Sequence, residues 1–216
     1  MVHLVQFLSG IFVLILLFAE YRKLSILKII SKPTAAFGFV LVAILYGIDS
    51  VYDKWIFGGL ILSFLGDCFL LSLNKRIFLI GLVSFLIAHI FYAVAFFPFA
   101  EFTRQWMIFS LLPILLSFLF YIKIQKFLFG FKMPVLIYLI AINTMLSIGL
   151  SCLLAQSGMN GWTFYHTAFL GALLFYLSDL AVARERFVEK SFLNKSWGLP
   201  FYFLGQFLIA STIVNL

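Results

Sequence analysis

The 216-residue chain is short of charge. Asp, Glu, Lys and Arg make up 11% of it, where a soluble domain carries about 25%. That scarcity excludes a water-soluble globule, because 64% hydrophobic residues at a mean hydropathy of +1.15 exceed what one core can hide. Cysteine is also scarce. Cys68 and Cys152 both fall within apolar runs and lack metal-ligand spacing, which excludes a disulfide framework. The three histidines, His3, His89 and His166, are scattered, with no carboxylate at ligand spacing. No metal and no cofactor is therefore expected. There is no G-x-S-x-G elbow, and Ser178 points away from Asp179, its neighbour on a helix, so serine chemistry is disfavoured. Nucleic acid is not an expected partner either. The net charge of +7 comes from residues at the ends of apolar runs, not along one soluble face.

What the chain has in abundance is long apolar runs. A spanning helix needs about 17 to 25 mostly apolar residues. Eight runs qualify, at about 3–19, 33–48, 55–73, 77–99, 106–122, 134–156, 163–183 and 198–215. The expected fold is all-α, a polytopic bundle of eight transmembrane helices forming one domain over residues 1–216. The first run, LVQFLSGIFVLILLF, has no basic segment ahead of it and no small-residue cleavage site behind it, so it is expected to be retained as a span. Pro33 suits the first turn of the second span.

Basic residues alternate between loops. Thirteen of the 15 Lys and Arg fall in the loops after spans one, three, five and seven, leaving Lys54 and Arg104 opposite. The positive-inside rule then puts both termini on the non-cytoplasmic side. A bacterial inner-membrane protein, surrounded by membrane lipids, is expected. A parallel four-plus-four repeat is suggested by FLGD in span three against YLSD in span seven, and by KP opening span two against KMP opening span six.

Within these runs the polar residues cluster. Asp67 and Asp179 lie within about two turns of the same end of spans three and seven. Lys32 stands at that end of span two, and Tyr202 and Gln206 enter span eight one turn apart. Asn143 pairs with Ser147 at i, i+4 in span six, and His89 with Tyr92 at i, i+3 in span four. Ser63, Asp67 and Asn74 are expected on one face of span three, and Tyr176, Asp179 and Arg186 on one face of span seven. An Asp at the centre of a span costs about 2.5–3.5 kcal/mol, and ionisable residues in membranes usually face the bundle interior and mark function. The plainer alternatives are a structural Asp67 bonded to Lys32 or Tyr202, a His89 serving only as an interhelical bond, and Arg184 and Arg186 as topology anchors.

In order along the chain, KP, GD, H..Y, YLSD with RF, and YFLGQ resemble the YhhN-like lysoplasmalogenase family of small membrane proteins. The resemblance runs from Lys32 to Gln206. It implies hydrolysis of the vinyl ether bond of a lysolipid substrate, giving a fatty aldehyde and glycerophosphoethanolamine or glycerophosphocholine. It also implies that the positions to carry over are Asp67, Asp179, Lys32, His89, Tyr176, Arg186, Tyr202 and Gln206.

Vinyl ethers are cleaved by acid: protonation of the β carbon gives an oxocarbenium ion that water captures. Such a site needs a protonated carboxyl and a nearby anion, the pattern of paired carboxylates in glycoside hydrolysis. Asp67 and Asp179 are the expected catalytic pair. Lys32 or Arg186 would hold phosphate at a site open to the cytoplasmic side, and Tyr202, Gln206 and Asn143 would position water or glycerol. A small-molecule or lipid transporter using the same aspartates is the alternative. It should show helices broken at midplane, whereas Pro33, Pro98, Pro134 and Pro200 are expected near helix ends and only Pro113 well inside a span.

Overall fold

A computed structural model describes residues 1–72, 74–155 and 163–215. Among them the chain forms eight helices: α1 Val2–Tyr21, α2 Ser25–Tyr46, α3 Val51–Leu70, α4 Lys75–Phe96, α5 Arg104–Ile124, α6 Lys132–Ala155, α7 Phe164–Ala183 and α8 Phe192–Asn215. Short 3-10 turns extend α4 and α5, and α7 continues into a π-helical turn, Arg184–Val188. Seven of the eight are long and apolar enough to cross a membrane. The remaining one, α3, is of similar length but carries Asp53, Lys54 and Asp67. The protein is a polytopic helical membrane protein.

Several helix starts follow from capping. Ser50 and Asp53 form a reciprocal box at α3, and the Ser50 hydroxyl accepts from the Asp53 N–H at 3.0 Å. Thr103 caps α5 by accepting from the Trp106 N–H at 3.2 Å. Asn74 accepts from the Arg76 N–H at 2.8 Å and so caps α4. This corrects its expected place on the polar face of span three. The expected end of that span at 73, and of the sixth at 156, lies outside the described residues.

Two prolines also sit differently from expectation. α2 begins at Ser25, so Pro33 is its ninth residue, not in its first turn. Pro200 is likewise the ninth residue of α8, which begins at Phe192. Each removes one helical N–H donor, yet both helices run through. The polar ends of these helices, Ser25–Lys28 and Asn194–Ser196, read in sequence as loop, but they continue the helices past the apolar runs.

The helices pack with a repeating neighbour pattern. α1 lies on α2 and α5 on α6; α2 on α3 and α6 on α7; α3 on α4 and α7 on α8; and α2 on α8 as α6 on α4. α7 and α8 approach most tightly at Gly171 and Gly205, where a Cβ on Gly205 would stand 3.0 Å from the Gly171 carbonyl oxygen. Small residues allow such backbone contact without a hydrophobic driving force in lipid. The aromatic centre of the bundle is Phe85, Phe175, Tyr202 and His89. The Phe175 ring centroid is 6.0 Å from Phe85, 5.5 Å from Tyr202 and 4.5 Å from His89.

Candidate active site

The end of the bundle that carries the basic loops contains a cavity of about 330 Å³, within the size range of small-molecule sites. Its walls include Lys32, Asp67, Tyr138, Tyr176, Asp179 and Tyr202, and Arg186 stands among the charged residues that line it. Both carboxylates therefore face one space, one turn from the ends of α3 and α7.

Asp67 is tied on both oxygens. The Lys32 ammonium is 3.0 Å from Oδ1, and the Tyr202 hydroxyl donates to Oδ2 at 2.6 Å. The Asp67 side chain is 2% exposed and that of Lys32 13%. An ammonium and a phenol both donate, so this carboxylate is satisfied as an anion. Both bonds foreseen for a structural Asp67 are thus present, here on the wall of a cavity. Lys32 is correspondingly engaged with Asp67 while it lines the cavity.

Asp179 is held differently. The Tyr138 hydroxyl donates to its Oδ2 at 2.7 Å, and His89 Nε2 lies 3.4 Å from the same oxygen. No hydrogen bond reaches Oδ1 from the described residues, and the side chain is 14% exposed, into the cavity. His89 is fully buried, and neither of its ring nitrogens has a hydrogen-bond partner among the described residues. A buried imidazole with both nitrogens unpaired is costly and is poised to bond Asp179 after a small shift.

Tyr138 was not singled out from sequence, although its place one turn after Pro134 in KMPVLIY was a usable signal. Each aspartate thus takes one partner from the helix preceding its own, Lys32 on α2 for Asp67 and Tyr138 on α6 for Asp179.

Four expected site residues do not line this cavity. Tyr92 and Gln206 form a closed triangle with Ser63. The Tyr92 hydroxyl donates to Gln206 Oε1 at 2.8 Å, Gln206 Nε2 donates to Ser63 Oγ at 3.2 Å, and the hydroxyls of Ser63 and Tyr92 are 3.2 Å apart. Every member is 0% exposed, so the triangle is a sealed plug behind the site. His89 reaches the site only through Asp179. Asn143 instead donates to Ser117 Oγ at 2.8 Å and to the Leu139 carbonyl at 2.7 Å. Tyr176 lines the cavity, but its hydroxyl turns to Ser117 at 2.9 Å and to the Pro113 carbonyl at 3.2 Å.

The mouth is charged. Glu20 on α1 pairs with Lys28 at 3.4 Å and Lys195 at 2.8 Å, and Lys195 also pairs with Glu185 at 3.2 Å. Arg186 differs from these. Its guanidinium lies 4.1 Å from the centre of the Phe78 ring, and no described carboxylate is within ion-pair distance. Among the described residues no group of His, Cys, Asp and Glu could hold a metal ion.

The chain has curated relatives. It is 32% identical to lysoplasmalogenase TMEM86A of Bos taurus over 161 residues, and 31% identical to lysoplasmalogenase TMEM86A of Homo sapiens over 167 residues. Each alignment covers 74% of this chain and 65% of the relative, so the chain spans about two thirds of their length or slightly less. No solved structure matches it. The YhhN family profile matches residues 27–213, from the start of α2 through the end of α8, and on that match the chain belongs to the YhhN family.

Proposed function

We propose that the protein is a membrane-embedded lysoplasmalogenase, hydrolysing the vinyl ether of a lysolipid to a fatty aldehyde and a glycerophospho-base. The observation that carries the reading is the pair of carboxylates on one cavity wall with opposite partner sets. Asp67, bound by an ammonium and a phenol, is the standing anion. Asp179, with Oδ1 open to the cavity, is the proton donor.

The protonated Asp179 Oδ1 gives its proton to the vinyl carbon β to the ether oxygen. The positive charge that develops across the C–O unit is stabilised by the Asp67 carboxylate, which is already oriented and needs no reorganisation. Water adds to the oxocarbenium carbon and returns one proton to Asp179. The hemiacetal then collapses: the glycerol oxygen takes that proton from Asp179 and leaves as an alcohol, while the hemiacetal hydroxyl gives its own proton to Asp179 and becomes the aldehyde carbonyl. One water is consumed, and Asp179 ends as it began. His89, with Nε2 3.4 Å from Oδ2, positions Asp179.

Arg186 is the phosphate ligand in this reading, since it is the mouth cation stacked on an aromatic face and not on a carboxylate. The basic loops at the mouth support a site that opens to the cytoplasmic side, and a bacterial inner membrane is the proposed location. The sealed Ser63–Tyr92–Gln206 plug behind the carboxylates suits a site entered from one side better than a transport path.

The test is aldehyde release from a lysoplasmalogen by purified protein in detergent. The expected result is release of the fatty aldehyde by the wild type, lost when both carboxylates are replaced by amides. Absence of release from all lysoplasmalogens, together with uptake of lysolipid into proteoliposomes, would replace the hydrolase with the transporter.

A further inference from the structure

A second cavity lies apart from the carboxylates, between α5 and α6. It encloses about 550 Å³, and its walls include Trp106, Ile114, Phe118, Tyr121, Ile140 and Thr144. Phe118 and Ile140 are 58% and 60% exposed, so this groove opens on the outer surface of the bundle, where lipid lies. From Trp106 to Tyr121 it follows fifteen residues of α5, a length of about 22 Å. One leaflet's share of the hydrocarbon core is about 15 Å, so the groove can take the whole length of a single lipid chain.

Only one layer of side chains separates the groove from the carboxylate cavity. Leu139 lines both. Tyr176 lines the carboxylate cavity and bonds Ser117, which lines the groove, and Asn143 bonds the same Ser117 from the groove wall. The junction is polar inside an apolar wall, and it is incompletely bonded. Asn143 is 9% exposed, and its Oδ1 has no hydrogen-bond donor among the described residues. That spare acceptor leaves a polar atom of the junction free for another donor.

α5 is also the span least committed to the bundle. In its most apolar stretch 17% of residues are buried, against 50% for α6. Besides the Tyr176 bonds to α7 and the Asn143 bond to α6, it is tied to α6 by Trp106, whose indole N–H donates to the Ser147 carbonyl at 2.9 Å, and by the Tyr121 hydroxyl, which donates to the Lys132 carbonyl at 3.4 Å. A loosely packed helix fastened by a few hydrogen bonds can move without disturbing the carboxylates.

Resting on the lysolipid reading above, we propose that the α5–α6 groove is the chain-binding site: the alkenyl chain passes from the carboxylates under Tyr176 into the groove. Tyr176, Ser117 and Asn143 form the door between them. The occupant is a single unbranched hydrocarbon chain, in keeping with the almost wholly apolar wall and the open flank toward lipid.

The experiment labels wild-type protein with a saturated alkyl-ether lysolipid carrying a diazirine at the far end of its chain. The saturated ether cannot be hydrolysed as a vinyl ether, so labelling needs no turnover. Expected is label on α5 and α6 groove residues, displaced by unlabelled lysolipid. Label confined to α3, α4 or α1, or groove label that unlabelled lysolipid does not displace, overturns the proposal.

A second arm measures aldehyde release from long- and short-chain lysoplasmalogens. Ile140→Trp, which narrows the groove, is expected to lower the long-to-short rate ratio by about tenfold. Leu14→Trp, on the lipid face of α1, leaves that ratio as in wild type. An unchanged ratio in Ile140→Trp also overturns the groove. Failure of wild-type release with every chain length instead overturns the lysolipid hydrolase, a different failure from label outside the groove.

Discussion

Asp67 and Asp179 occupy matching helices of the bundle, α3 and α7, and each is contacted from two other helices. Lys32 on α2 and Tyr202 on α8 serve Asp67; Tyr138 on α6 and His89 on α4 serve Asp179. The frames correspond, but the chemistry does not. One carboxylate has a full-time cation and no free oxygen, while the other has a phenol, an imidazole and an oxygen open to the cavity. The difference teaches that similar frames can hold two identical side chains in unlike surroundings by changing both partners, lysine and tyrosine around Asp67, tyrosine and histidine around Asp179.

The sharpest way to break that comparison is to neutralise each carboxylate in turn. Asp179→Asn keeps shape and the Tyr138 contact but cannot donate a carboxyl proton. Aldehyde release is expected to fall by about 10²–10⁴-fold, the usual worth of a general acid, with the thermal midpoint close to wild type. Release within threefold of wild type would remove Asp179 from the donor role.

Lys32→Met tests the other half. It leaves Asp67 buried and uncompensated, at a cost of about 3–5 kcal/mol, read as a lowered unfolding midpoint in detergent. Adding Asp67→Asn should restore much of the stability but not the activity, because the anion stays absent. If the double variant regains activity, Asp67 is only structural.

Gly205→Ala probes the frame, not the chemistry. Its Cβ would meet the Gly171 carbonyl at 3.0 Å and the Phe175 N–H at 3.1 Å, backbone atoms that move only with the helices. A loss of about 1–3 kcal/mol is expected, with substrate preference unchanged. The smallest effect is expected from Arg186→Gln, a rise in KM of about tenfold with kcat nearly kept, as for loss of binding shared by ground and transition states. A fall in kcat alone would move Arg186 from headgroup binding to the reaction itself.

Much of this was legible in sequence for plain reasons. Apolar runs of spanning length announce helices, and Asp67 and Asp179 stand out because lipid makes charge expensive. Pairing was harder to foresee. Asn74 read as part of a face and proved to be a cap, since a helix end depends on whether the next residue can continue the turn. Pro33 read as a start and proved internal, because α2 begins at Ser25 although Lys28 and Lys32 interrupt its apolar run.

The sequence by itself determined that the protein is an all-helical membrane bundle and which of its residues are rare intramembrane charges, because the cost of burying polar groups in lipid acts residue by residue. Only the tertiary structure decided which groups meet. It joined Tyr138 to Asp179, gave Lys32 to Asp67, drew Tyr92 and Gln206 into a plug, and turned Asn143 toward α5. Helix rotation and register set those partners, and both follow from packing at contacts such as Gly171 against Gly205, which no single helix contains.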